Sequence, residues 1–168
     1  FAALAGAGSI QINSNAHLAS LEDAFPALRS VDGSIGITSN ANLKTCASFA
    51  SLADAGSISV TSNAVLQSCS FSVLVGVRGS FTASTNPELA VLAAGKVEDI
   101  TGALTITDTV VSSFKDMFDS LARVGKDVRL TQNSKLASLD GSFPKLAKAG
   151  YLVVSGNQRL ATLGSAFV

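Results

Sequence analysis

The sequence has few of the residues that most often carry enzyme chemistry. Its 168 residues include no tryptophan, one tyrosine, one histidine and two cysteines. His17 is the single histidine, and no Ser-His-Asp or Cys-His catalytic set can be argued around it; no glycine-rich phosphate-binding motif occurs either. His17 falls between the repeated apolar positions described below, where we expect it to be exposed. The sequence therefore predicts a protein that is not an enzyme and that uses no cofactor or metal.

Charge is also scarce. Charged residues make up 14% of the chain, and the net charge is zero, whereas globular proteins average about 25% charge. A neutral chain lacks the basic surface that binds nucleic acid, and no apolar run approaches the ~18 residues of a membrane span. We therefore expect no nucleic-acid partner and no direct membrane insertion.

What the chain does contain is a repeat of about 24 residues. GSIQINSNAHL begins at Gly8, GSIGITSNANL at Gly33 and GSISVTSNAVL at Gly56. Each copy has a short alternating apolar run, then an asparagine, then leucines. In the fifth repeat either Asp108 or Thr109 could take the asparagine position, and we prefer Asp108 because apolar residues then follow at the expected spacing. The asparagines of the other six repeats are Asn15, Asn40, Asn63, Asn86, Asn133 and Asn157.

The repeat predicts a parallel β-solenoid of about seven coils with little helix. Ile10 and Ile12 alternate with polar residues, which indicates a strand with one buried face. The segments between strands are too short and broken for long helices, so we expect turns there. Stacked coils bury a continuous core that a single coil could not form. An asparagine at the bend after each strand can satisfy backbone groups of neighbouring coils, so we interpret the asparagines as a structural ladder.

The complete pattern is Phe-x-x-Leu-x-x-x-Gly-Ser-Ile-x-Ile-x-x-Asn-x-x-Leu-x-x-Leu. It resembles the receptor L-domain type of leucine-rich repeat and covers residues 1–168 as one repeat domain. The resemblance implies a right-handed parallel coil in a non-enzymatic protein that is extracellular or on the cell surface. It also implies a structural or adhesion role, through a protein partner or self-association. Binding residues vary among members of this family, so none is transferred to this chain.

The outward side chains of the central strands are small and uncharged. Three side chains of each strand point away from the core, and adjacent strands lie ~4.8 Å apart, so we expect a flat lattice of hydroxyl and methyl groups. Repeats that have diverged little would produce such a lattice, because threonine suits strands. The alternative is a docking surface for protein, glycan or ice. We call this surface the contact face; its residues are Ser34, Gly36, Thr38, Ser57, Ser59, Thr61, Ser80, Thr82, Ser84, Thr105 and Thr107.

The two cysteines occupy equivalent positions. Cys46 and Cys69 are 23 residues apart, one repeat, and each lies six residues after its asparagine. In adjacent coils their Cα atoms would be ~5 Å apart, which is within disulfide range. Two buried thiols and a coil-to-coil disulfide both fit this spacing, and a metal or redox site is a third interpretation for which the sequence offers no further ligands.

Two further features leave alternatives open. Glu98, Asp99 and Asp108 lie near the fifth repeat and form either a solvated loop or a weak Ca²⁺ site. The chain begins and stops within a repeat, without evident caps. We therefore expect either a segment of a longer repeat protein or a unit that assembles head to tail.

Overall fold

The computed structural model describes residues 1–166, so the last two residues of the predicted repeat domain lie outside the described residues. The predicted parallel solenoid is confirmed: the chain makes about seven turns and has no helix within this range. No helix that could span a membrane occurs among these residues. The strands are β1 (Gly6–Ala7), β2 (Ile10–Asn13), β3 (Ser30–Thr38), β4 (Thr45–Cys46), β5 (Asp54–Thr61), β6 (Ser68–Ser70), β7 (Gly76–Val77), β8 (Phe81–Asn86), β9 (Val91–Ala93), β10 (Asp99–Ile100), β11 (Leu104–Thr109), β12 (Arg123–Val124), β13 (Val128–Thr131) and β14 (Leu152–Ser155).

The strands form three faces. The main face contains, in chain order, β2, the carboxyl half of β3, the carboxyl half of β5, β8, β11, β13 and β14. We number the coils one to seven after these strands. The second face contains β4, β6 and β9. The third contains β1, β7, β10, β12 and the amino halves of β3 and β5. The repeat pattern predicted only the main-face strands, because strands of two or three residues are too short to show alternation.

An asparagine ladder runs through the corner after the main face. The Asn63 side chain accepts a hydrogen bond from the Asn40 backbone N–H at 3.0 Å and donates one to the Ile37 carbonyl at 2.9 Å. The Asn63 backbone N–H in turn donates to Asn86 Oδ1 at 2.9 Å. These asparagines are fully buried, so the amides satisfy backbone groups that water cannot reach. Asn15, in the first coil, is exposed instead.

The fifth coil departs from the sequence prediction. Thr109, not Asp108, pairs with Asn86 across the ladder, and its buried Oγ1 donates to Asn133 Oδ1 at 2.7 Å. Asp108 instead takes the preceding position, which has a left-handed backbone in each coil: φ is 55° at Asp108 and 57° at Ser62. The assignment of Asp108 to the ladder was therefore wrong. A hydroxyl can replace one amide hydrogen bond, and aspartate adopts left-handed backbone more readily than threonine does.

Phenylalanine rings stack along another corner of the solenoid. Ala94 interrupts the stack, because it takes the equivalent position in coil four. Its carbonyl accepts a hydrogen bond from the N–H three residues later, as the carbonyls of Phe71 and Phe118 do in their own coils. Phe81, on the main face, lies edge-on to both rings, with centroids 5.6 Å from Phe71 and 6.0 Å from Phe118. The core is thus continuous across coil four. The stacked rings before the interruption are Phe1, Phe25, Phe49 and Phe71.

Candidate contact face

The outward side chains of the main face form columns that are in register from coil to coil. In the middle column Ser59 stands between Gly36 and Thr82, and Thr105 follows Thr82. The first column includes Ser34 beside Ser57. The third column contains Thr38, Thr61, Ser84 and Thr107.

The first column supports the backbone. Ser57 Oγ accepts a hydrogen bond from the Ser80 N–H at 3.3 Å, and Ser80 Oγ accepts one from the Ala103 N–H at 3.1 Å. Asp127 Oδ1 accepts in the same way from the Tyr151 N–H at 3.2 Å. Each oxygen satisfies an N–H at the start of the next strand, so these acceptors are already engaged. Their positions in the sequence indicated exposure, but not this structural role.

Gly36 does not contribute to the contact face as the sequence predicted. It is buried, because the side chain of Gln11 in the preceding coil lies over it. Gln11 Nε2 also donates to Ser34 Oγ at 2.9 Å. A long side chain from the neighbouring coil therefore covers the amino end of this surface.

The remaining hydroxyls are of two kinds. Ser59 Oγ and Thr61 Oγ1 are hydrogen-bonded at 3.0 Å, and Thr107 Oγ1 and Thr131 Oγ1 at 2.8 Å. These pairs orient their hydroxyls along the surface. Other hydroxyls have no hydrogen-bond partner within residues 1–166 and can bind a ligand or water. They belong to Thr38, Thr82, Ser84 and Thr105.

Ion pairs lie outside the contact face. On the third face Arg123 Nε donates to Asp99 Oδ1 at 2.7 Å, and this hydrogen bond raises the pKa of Arg123. From coil two to coil five the outward columns contain no charged residue. A partner confined to this part of the face would therefore cover no charged side chain directly, and the nearest one on the main face is Arg129, in register with Thr105 in the next coil. The other described ion pairs join Arg78 to Asp32 and Arg129 to Asp127.

The cysteines meet on the second face. Cys46 and Cys69 are paired in register between β4 and β6, with Cα atoms 4.6 Å apart, and the structure contains a disulfide between them. Both residues are buried. Of the two arrangements that the spacing allowed, the structure contains the covalent one.

The remaining titratable candidates do not assemble into a site. His17 is exposed, in agreement with the sequence prediction. Glu98 and Asp99 lie at the third face, whereas Asp108 lies at the end of β11 on the main face. Within residues 1–166 no three His, Cys, Asp or Glu side chains group as metal ligands, so the predicted Ca²⁺ alternative has no ligand set.

No protein-family model, curated protein or solved structure matches this chain.

Proposed function

We propose that the chain is a non-enzymatic structural or adhesion module at the cell surface or outside the cell, acting through protein–protein contacts on the contact face. The observation that carries the proposal is the register of the main face. Coils two to five present aligned columns of small, uncharged side chains, while the ion pairs lie elsewhere. Burying such a surface desolvates hydroxyls that a partner can hydrogen-bond but no charged side chain of these four coils, and its flatness allows close approach of another sheet.

The size of the face indicates how it would act. Four strands about 4.8 Å apart, each about five residues long with three side chains facing outward, cover about 300 Å². A stable protein interface buries about 800 Å² on each partner. One contact would thus be weak, and adhesion would require many copies arrayed on opposing surfaces.

The repeat pattern supports the proposed location. We propose that the solenoid is a leucine-rich repeat of the receptor L-domain type, on the resemblance of its Phe, Leu, Gly and Asn positions to that family. The disulfide between Cys46 and Cys69 is consistent with an oxidising compartment.

The test takes a second copy of the chain as the partner and combines clustering of protein-coated beads with sedimentation velocity of the purified chain. We expect the beads to cluster and the free chain to form weak dimers. Replacing Thr82 and Thr105 together by lysine should abolish both, because adjacent charges would then be desolvated. The control places two lysines at Ala90 and Ala137, which are exposed and lie outside the contact face, and it should cluster normally.

Three outcomes are informative. Absence of clustering by the unaltered chain would contradict the proposal, as would equal loss in both lysine variants. A sedimentation coefficient that keeps increasing with protein concentration, and that lysines at Thr82 and Thr105 do not change, would indicate head-to-tail assembly through the end coils instead.

Ordered threonine pairs favour a second candidate, binding of ice or a glycan by the same face. Thr38 lies opposite Thr61, and Thr82 lies opposite Thr105, at a strand spacing of about 4.8 Å. Such a lattice can order water or match a repeating polyol. Thermal hysteresis at millimolar protein tests the ice alternative. Activity that disappears in Thr82→Tyr would support it, and the absence of any activity would remove it.

A further inference from the structure

A polar groove lies at the corner where the main face ends in coils five to seven. Two of its residues directly follow Thr107 and Thr131, so the groove borders the third column of the main face. It is a cavity of about 490 Å³ lined by Asp108, Gln132, Ser134, Gly156 and Gln158.

The polar side chains of the groove are not used by the fold. In the described chain the Asp108 carboxylate and the amides of Gln132 and Gln158 make no side-chain hydrogen bond or ion pair, and the same holds for the Ser134 hydroxyl. Asp127, by contrast, accepts a hydrogen bond from the backbone N–H of Tyr151 in the neighbouring coil. Donors and acceptors in the groove are thus available to a ligand.

Gln132 occupies the left-handed position before the ladder asparagine, which recurs in every coil. Its φ is 56°, in the left-handed region that glutamine rarely adopts. Gly156 takes the equivalent position in the next coil, with φ of 67°, which shows that glycine fits there. A Cβ on Gly156 would lie 3.2 Å from Gln132 Cγ, so this glycine leaves room for the glutamine side chain. The groove therefore retains an amide at a position where glycine would relax the backbone.

The repeat does not account for these residues. Immediately after the ladder asparagine, coils two to four have Ala41, Ala64 and Pro87. Coils six and seven have Ser134 and Gln158 at that position. One end of this corner thus carries side chains that can form hydrogen bonds, where coils two to four have none.

We propose that this groove binds an uncharged saccharide. One carboxylate, two amides and a hydroxyl offer the mixture of acceptors and donors that neighbouring sugar hydroxyls require. The lining contains no cation to bind an anionic ligand and no large apolar side chain to anchor a hydrophobic one. The groove lies beside the contact face, and the proposal does not depend on the protein contact proposed above.

The lining also predicts the affinity. It contains no aromatic ring to stack on a sugar face, so a single sugar should bind with a Kd of about 1 mM or weaker. A longer oligosaccharide can continue along the hydroxyls of Thr107 and Thr131 and should bind more tightly.

The experiment is an NMR titration of the ¹⁵N-labelled chain. The probes are methyl glycosides of glucose, mannose, galactose and N-acetylglucosamine at about 10 mM, followed by cellotetraose and chitotetraose. We expect saturable shifts centred on Asp108, Gln132 and Gln158 with at least one probe, and tighter binding of its tetrasaccharide where one is tested. The proposal is overturned by an absence of shifts with every probe, or by shifts centred elsewhere.

Two variants and one control test the assignment. Asp108→Asn removes the charged acceptor and should weaken binding about tenfold. Gln132→Gly should weaken binding while raising the melting temperature, a combination that a purely structural residue would not produce. Asp116→Asn is the control, because Asp116 also has a left-handed backbone, φ 63°, in coil five but lies outside the groove. Unchanged affinity in both groove variants would overturn the proposal.

Discussion

Phe81 meets Phe118 edge to face, with ring centroids 6.0 Å apart, across the place that Ala94 leaves open in the phenylalanine stack. The residues in register with Phe81 on either side are Ile58 and Leu104. Coil four therefore has a large residue where its neighbours have a smaller one, and a small residue where its neighbours have a ring. The two departures compensate each other in volume, which keeps the core filled.

A double-mutant cycle tests this compensation. Phe81→Ile should leave a cavity and destabilise the chain by about 2 kcal/mol. Ala94→Phe should overpack the core by a similar amount, about 2 kcal/mol. Together they recreate the regular pattern, so the double variant should be within about 1 kcal/mol of the unaltered chain. Urea unfolding measures each free energy, and simple additivity of the two changes would contradict the account.

The asparagine ladder makes a second prediction. Asn63→Ala leaves the Asn40 N–H and the Ile37 carbonyl without the partners that Asn63 provides. Buried backbone groups without partners are costly, so we expect a loss of about 3 kcal/mol in unfolding free energy. Asn15→Ala is the control, because Asn15 is exposed, and it should cost less than about 1 kcal/mol. Equal effects in thermal or urea unfolding would show that the ladder is not a stabilising element.

The main features of the solenoid were predictable from the sequence, since Ile35 and Ile37 repeat an alternation that only a half-buried strand explains. The second face was not, because a strand as short as Thr45–Cys46 has no recognisable period. The ladder residue of the fifth coil was predicted wrongly for a different reason. Asp108 and Thr109 both suit the corner chemically, and the choice depends on which residue takes the left-handed backbone.

The surface was harder to predict than the core. Linear spacing placed Gly36 on the contact face, but it could not show that Gln11 from the preceding coil covers it. The polar groove was also missed, because its residues come from three coils. One signal was present in the sequence: Gln132 stands where earlier repeats have Ser14, Ser39 and Ser62.

The disulfide should contribute strongly to stability. Cys46 and Cys69 close a loop with a sequence separation of 23, and a loop of this size is expected to contribute about 3 kcal/mol. Reduction should therefore lower the melting temperature. The variant with both cysteines replaced by alanine should have a similarly low melting temperature that does not respond to reductant. If the unaltered chain is equally insensitive, and alkylation under denaturing conditions labels both thiols, the bond is absent in the protein.

Low pH should loosen the last coil before the rest of the solenoid. Asp140 accepts hydrogen bonds from the Ser165 hydroxyl at 2.7 Å and backbone N–H at 2.8 Å, and these lower its pKa from the ordinary value of 3.8. Two hydrogen bonds lower the pKa of Asp127: the larger effect comes from the Tyr151 backbone N–H and the next from the Arg129 side chain. A carboxyl group with a lowered pKa in the fold stabilises it above the unfolded pKa, and this stabilisation is lost as the pH falls through the folded value.

Both carboxylates accept from residues of coil seven, so their protonation below about pH 4 should release that coil selectively. Amide hydrogen exchange, corrected for intrinsic rates, should show protection in Leu152–Ser155 falling with acid while protection in Asp54–Thr61 persists. The variant with both Asp127→Asn and Asp140→Asn should have low protection in coil seven already at neutral pH, with little further change on acidification. If the two strands instead lose protection together, or the double variant keeps the acid dependence, these two carboxylates do not hold the last coil in place.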